Sequence, residues 1–185
     1  MPVTDKDRDI FARTLWGESR GESLAGQVAV AWTIRNRVND GKAKSWWGEG
    51  YGGVCQIPYQ FSCWNKNDPN FAYLSGAKQI SFREFAQAQI AADQVMAGMV
   101  PDPTGGATHY YYYYYYYYYY YYYYYYYYYY YYYYYYYYYY YYYYYYYYYY
   151  YYYYYATNMP KLPDWVKGAK ETLKLGRHIF FKDVP

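Results

Sequence analysis

An uninterrupted run of 46 tyrosines, Tyr110 through Tyr155, divides this chain of 185 residues. A homopolymer carries no binary pattern and every register within it is equivalent, so it cannot encode a unique core. The fold must be written in the 139 residues on either side of the run, which is the size of one domain. Tyr51, Tyr59 and Tyr73 are the only tyrosines elsewhere, so the 34% aromatic content describes the run and not the host. Residues 110–155 are read as a low-complexity insert in a domain made of residues 1–109 and 156–185. Three origins stay open: an artefact, a designed insertion, or a natural tyrosine-rich element. High β propensity without charge or proline makes the tract a candidate for self-association. Its insertion into an exposed loop costs only about 0.6 kcal/mol per doubling of loop length, so the host can survive it.

In the host, Thr4-Asp5-Lys6-Asp7 offers a cap followed by early acids, and Ile10, Phe11, Thr14 and Leu15 recur at helical spacing. A first helix through about Gly17 or beyond is predicted. Leu24 to Val38 reads as a buried helix ended near Asn39-Asp40-Gly41. Trp46 to Asn70, rich in Gly, Pro, Asn and aromatics, reads as a long ordered loop with room for a short hairpin. A third helix is predicted over Ser81 to Met99, with Phe82, Phe85, Ala88, Ile90, Ala91, Val95 and Met96 on a broad apolar face. Pro101 and Pro103 are expected to stop it. Pro163 to Val166 suggests a short turn of helix, and Arg177 to Phe181 alternates like a closing strand.

Two carboxylates stand four residues apart in Leu15-Trp16-Gly17-Glu18-Ser19-Arg20-Gly21-Glu22. If the segment is helical they share a face, and the apolar Leu15 and Trp16 would favour Glu18 as a neutral acid able to donate to a glycosidic oxygen. A solvated helix edge with a glycine break is the simpler account of the spacing alone, which needs support from elsewhere in the chain.

Further segments narrow the choice. Gly26 to Val38, Val54-Cys55-Gln56-Ile57-Pro58-Tyr59-Gln60-Phe61-Ser62-Cys63-Trp64-Asn65, Asp102-Pro103-Thr104-Gly105-Gly106-Ala107-Thr108-His109-Tyr110 and Gly176-Arg177-His178-Ile179-Phe180-Phe181 follow in order. With the Trp16 to Glu22 stretch they resemble the SleB-type cell-wall hydrolase family, which includes spore-cortex lytic enzymes and phage endolysins. The resemblance implies that Glu18 is the catalytic acid and that the Gln60-Phe61 pair binds an N-acetyl sugar. Glu22 is a second candidate, as a hydrolytic carboxylate, as a tuner of Glu18, or as a plain partner for Arg20. Tyr59, Trp64 and Asn65 are weaker candidates for a groove wall. Thr104, Gly105 and Gly106 permit close backbone approach to a ligand, and Tyr110 would follow as a hydroxyl donor. The fold expected is mainly α (α+β), a lysozyme-like single domain with a small β element.

The net charge of +3 and pI near 8.4 favour approach to an anionic wall polymer and are too small to argue for nucleic acid. The N-terminus lacks a cationic and an apolar region, so no signal peptide is expected, and no stretch is long and apolar enough to span a membrane. An endolysin-like setting, with the protein made in the cytoplasm and delivered to the wall, follows as the expectation. Cys55 and Cys63 are compatible with a short-loop disulfide or with two thiols. Two cysteines and two distant histidines lack a metal-ligand spacing, so no metal and no cofactor are expected. His109 and His178 are read as hydrogen-bonding residues and not as bases. The function expected is cleavage of peptidoglycan glycan strands, as a lytic transglycosylase. A hydrolytic muramidase, a non-catalytic wall-binding module and a tyrosine-driven assembly are the alternatives.

Overall fold

The computed structural model describes residues 3–40, 45–112 and 163–185. The tract beyond Tyr112, and the expectation of self-association through it, lies outside the described residues. The chain divides into a unit of residues 1–112 with 168–185 and a second unit of residues 113–167. In the second unit the described residues form a 3-10 turn, Asp164–Val166, the predicted short turn, with Lys167 Nζ 3.1 Å from Asp164 Oδ1.

The first unit opens with α1, Asp5–Ser19. Thr4 caps it by accepting from the Asp7 N–H, while the Asp7 side chain accepts from the Thr4 N–H, a reciprocal capping box. Ile10, Phe11, Thr14 and Leu15 are all buried, as their spacing requires. After the turn Arg20–Ser23, α2 runs Leu24–Val38, with Ser23 accepting from the Gly26 N–H as its cap. Val30 and Ile34 are fully buried, and this helix is the centre of the core.

The segment expected as a loop holds more structure than its composition suggests. Helix α3, Gly50–Gln56, is followed by a 3-10 turn at Ser62–Trp64 and by α4, Phe71–Leu74. No strand forms there, so the hairpin is replaced by helix. Three glycines in seven residues make α3 a poor helix on propensity. Burial of Tyr51, Val54 and Cys55 overrides that, with the Phe11 and Tyr51 rings 4.6 Å apart and the Asp7 carboxylate accepting from the Gly52 N–H at 2.9 Å. Helix α5, Phe82–Met96, matches the third predicted helix. Its buried face is narrower than expected: Ala88, Ala91, Ala92 and Val95 are buried, whereas Phe82 and Ile90 face solvent. Small side chains let α5 pack closely on α1 and α2. The helix stops before the prolines, at Gly98, whose N–H bonds to the Val95 carbonyl while the Met99 N–H bonds to Gln94.

Three short antiparallel strands complete the unit: β1 His109–Tyr112, β2 Lys170–Leu175 and β3 His178–Lys182, in the order β1-β3-β2. β3 is the predicted closing strand, and Phe180 and His178 on it are buried. Tyr110 pairs with Phe180 and Tyr112 with His178.

Both histidines lie in this sheet and both titrate low. Burial, with a smaller contribution from Arg177, pushes His178 down to about 4, and neither ring nitrogen has a hydrogen-bond partner among the described residues. Burial and Arg37 push His109 down to about 4. Since the unfolded chain then binds protons between pH 6.5 and 4 that the folded chain refuses, stability rises with pH across that window and is lost on acidification. Each histidine contributes at most about 1.4 kcal/mol per pH unit there. Thermal melts between pH 7 and pH 4.5 should show a falling Tm, and His178→Phe should reduce the slope of that dependence, with His109 keeping the remainder.

Candidate active site

Glu18 lies in the last turn of α1, half-buried. The Tyr110 hydroxyl donates to its Oε2 at 2.9 Å, and the Cys63 backbone N–H approaches its Oε1 at 3.4 Å. A carboxylate from the first helix, a phenol from β1 and a backbone donor from the 62–64 turn thus meet at one point. Gly17 makes the approach of that turn feasible, because a Cβ there would lie 2.8 Å from Cys63 Cβ and 2.9 Å from its Sγ. Burial first, then the Glu18 charge and its hydrogen bond, push the Tyr110 phenol well above its ordinary value, so it stays a donor.

Glu22 is not on the same helix face. α1 ends at Ser19, and Glu22 sits in the following turn, where its N–H bonds to the Ser19 carbonyl. The side chain is buried and engaged by Arg177: Nε to Oε1 at 2.7 Å and the backbone N–H to Oε2 at 3.2 Å. Gly176 permits this, since a Cβ at its left-handed φ of 57° would collide with the Glu22 carboxylate. Arg20, the sequence candidate for that pairing, stacks instead over the Trp16 ring at 4.5 Å. Glu22 therefore clamps the α1–α2 turn to the β2–β3 turn.

The other candidates divide by surroundings. The Gln60 amide donates to the Val54 carbonyl at 2.6 Å and to Trp47 at 3.3 Å, which fixes the 57–61 turn. Phe61 is 3% exposed and belongs to the core, with Arg37 5.2 Å above its ring. Trp64 donates to the Thr14 hydroxyl at 3.0 Å and packs on the core. Asn65 is half-buried, its N–H bonding to the Ser62 carbonyl. Tyr59 is 88% exposed. Thr104 is buried, and its hydroxyl and N–H both donate to Asp102 Oδ1. Gly105 and Gly106 both take positive φ, and a Cβ on either would meet no heavy atom within 4 Å among the described residues.

Two residues with no earlier assignment organise this corner. Asp102 accepts from Thr104, Gly106 and Asn36; against the opposing effect of burial, those bonds hold its carboxyl below the usual range. Arg37, buried in the last turn of α2, donates from Nε to the Thr108 carbonyl at 2.7 Å and lies 4.5 Å over the Trp47 ring. Burial pulls its guanidinium down to about 10, countered by Tyr110, Cys55 and Glu18, so it is a cation near neutral pH. The only hint in the sequence was two arginines, Arg35 and Arg37, closing an otherwise apolar helix.

Cys55 and Cys63 are both buried thiols. Burial pushes Cys55 up to about 12 and Cys63 higher, so neither is poised as a nucleophile near neutral pH. A hollow of about 480 Å³ lined by Lys6, Asp7, Ile10, Gly52 and Gln56 opens beside the first half of α1. Glu18 lies eight or more residues further along that helix, roughly 12 Å or more away at 1.5 Å per residue, so the hollow is separate from this chemistry. Among the described residues no helix is long and apolar enough to cross a membrane.

A search of curated protein sequences finds no match. Two solved structures share the fold. The catalytic domain of the Bacillus cereus SleB protein superposes with a TM-score of 0.55 at 23% identity, covering 98% of this chain and 93% of that one. The catalytic domain of the germination-specific lytic transglycosylase SleB from Bacillus anthracis superposes with a TM-score of 0.54 at 24% identity, covering 98% and 100%. These likenesses establish the mainly helical fold with its small three-stranded sheet. The profile of the cell wall hydrolase family matches residues 21–181, most of the chain, and the chain belongs to that family.

Proposed function

We propose that this cell wall hydrolase cleaves the glycan strand of peptidoglycan as a lytic transglycosylase, with Glu18 as its single acid and base. The observation that carries the reading is the setting of Glu18, held by the Tyr110 hydroxyl and the Cys63 N–H while Glu22 is committed to Arg177. The family match begins at Gly21, so the role of Glu18 rests on this geometry and on the motif around it.

In its acid form Glu18 donates a proton to the glycosidic oxygen between N-acetylmuramic acid and N-acetylglucosamine. The C1–O bond breaks, and the departing sugar leaves with that proton as a hydroxyl. Positive charge develops at C1 and on the ring oxygen, and the carboxylate beside it offsets that charge. The same carboxylate then takes the proton of the 6-hydroxyl, whose oxygen closes on C1 to give the 1,6-anhydro ring. One acid serves both halves, and water is not consumed. Tyr110 donates to Oε2 throughout and fixes the direction in which the carboxyl acts.

A hydrolytic muramidase would want a second free carboxylate about 5 to 9.5 Å away. Glu22 was the sequence candidate, and its ion pair with Arg177 favours a positioning role for it. Gly105, Gly106, Gln60 and Tyr59 remain the proposed contacts of the sugar chain, with the buried Thr104 holding the Gly105–Gly106 turn through Asp102 and Phe61 supporting the site from the core. An endolysin-like setting, in which the protein reaches the wall after release or delivery, goes with this reading.

Mass spectrometry of purified peptidoglycan after digestion tests it. Anhydro-muramic ends are the expected product. Reducing muramic ends would replace the transglycosylase with a hydrolase, and intact strands would end the reading.

A further inference from the structure

Trp46 is 64% exposed, yet its ring is held in place. It stacks on Trp47 with centroids 3.5 Å apart and planes 30° from parallel. Trp47 is in turn buried and fixed on three sides: Arg37 lies 4.5 Å over its ring, the His109 ring meets it edge-on at 5.2 Å, and its carbonyl accepts from Gln60 at 3.3 Å. His109 is next to Tyr110 on β1, and Tyr110 donates to Glu18. His109 and Tyr110 present opposite faces of β1, so the exposed indole is tied to the candidate site through the backbone of that strand and through Arg37, which lies over Trp47 and donates to the Thr108 carbonyl at the entry to β1.

A single exposed aromatic needs no explanation by itself. The support behind this one does bear on ligand choice. An indole already fixed on one face loses little side-chain freedom when the other face is covered, so cover by a ligand is inexpensive. A flat apolar face matches the axial C–H face of a pyranose ring, while the hydroxyl and acetamido groups at the ring's rim stay in water. The exposed Tyr59 rises from the neighbouring turn that Gln60 ties to Trp47.

We infer that Trp46 is a sugar-stacking platform, a subsite for an N-acetylated pyranose of the glycan strand away from the bond that Glu18 cleaves. This rests on the proposed function for the identity of the polymer, and on the Trp46 geometry alone for the subsite.

The experiment measures retention on purified peptidoglycan sacculi for Glu18→Gln carrying, in turn, Trp46, Trp46→Phe and Trp46→Leu, beside steady-state kinetics of the same changes with Glu18 present. The Leu variant keeps an apolar side chain and removes the plane. Expected is a loss of affinity of about fivefold or more for Leu, near-complete retention for Phe, and a raised KM with little change in kcat, at unchanged Tm. Equal binding and kinetics for all three would overturn the subsite while leaving the cleavage reading intact. Binding that depends on Trp46 in a protein that cleaves nothing would keep the subsite and reject the proposed function. Failure of the Trp46 protein to bind, in a protein that also cleaves nothing, would overturn both.

Discussion

The antiparallel pairing of β1 with β3 sets Tyr110 opposite Phe180 and carries a phenol hydroxyl from residue 110 to a carboxylate at residue 18. A slip of one residue would turn Tyr110 to the opposite face of the sheet, and because the next residue is also tyrosine the register has to be set by the residues that precede the run. Several interactions hold it. Phe180 is fully buried, Asn36 donates to the Ala107 carbonyl at 2.9 Å, Arg37 donates to the Thr108 carbonyl, and the Thr108 N–H bonds to Phe181. The last turn of α2 thus fixes the entry to β1, and the hydrophobic burial of β3 fixes its partner.

The Glu22–Arg177 clamp serves the same arrangement from the other side. Its two partners lie 155 residues apart in sequence, and one of them is buried. A buried carboxylate is costly unless paired, so the clamp is only weak evidence for net stability. What it does supply is a fixed relation between the turn that follows Glu18 and the hairpin that carries β3. The Glu22 carboxylate is thereby committed to Arg177.

Much of this was legible in the chain. Thr4 and Asp7, and the apolar spacing of Ile10, Phe11 and Leu15, write α1 directly, and Leu24 to Val38 writes α2 with its ends. Helix α3 was not legible, because Gly50, Gly52 and Gly53 disfavour helix and only tertiary burial of Val54 and Cys55 restores it. Strand β2, Lys170–Leu175, escaped for a similar reason: it is a polar edge strand with a register irregularity between Glu171 and Leu173. At the site, the motif around Glu18 was readable, but the partner of Glu22 was not, since nothing local points from residue 22 to residue 177. Phe61 reads as a sugar contact in its motif and sits in the core. Its surroundings come from Arg37, which no spacing rule connects to it.

In the proposed reaction Glu18 moves the proton at the scissile bond. Glu18→Gln keeps the size of the side chain and an oxygen for the Tyr110 hydroxyl to donate to, and it removes only the titratable proton. The direct measurement is the initial rate of glycan cleavage by this variant against the parent, at matched folded fraction. A fall of about 10²- to 10⁴-fold is expected, the usual contribution of general acid–base catalysis. A rate within a few-fold of the parent, in a variant of unchanged Tm, would place the catalytic acid elsewhere and contradict this role of Glu18.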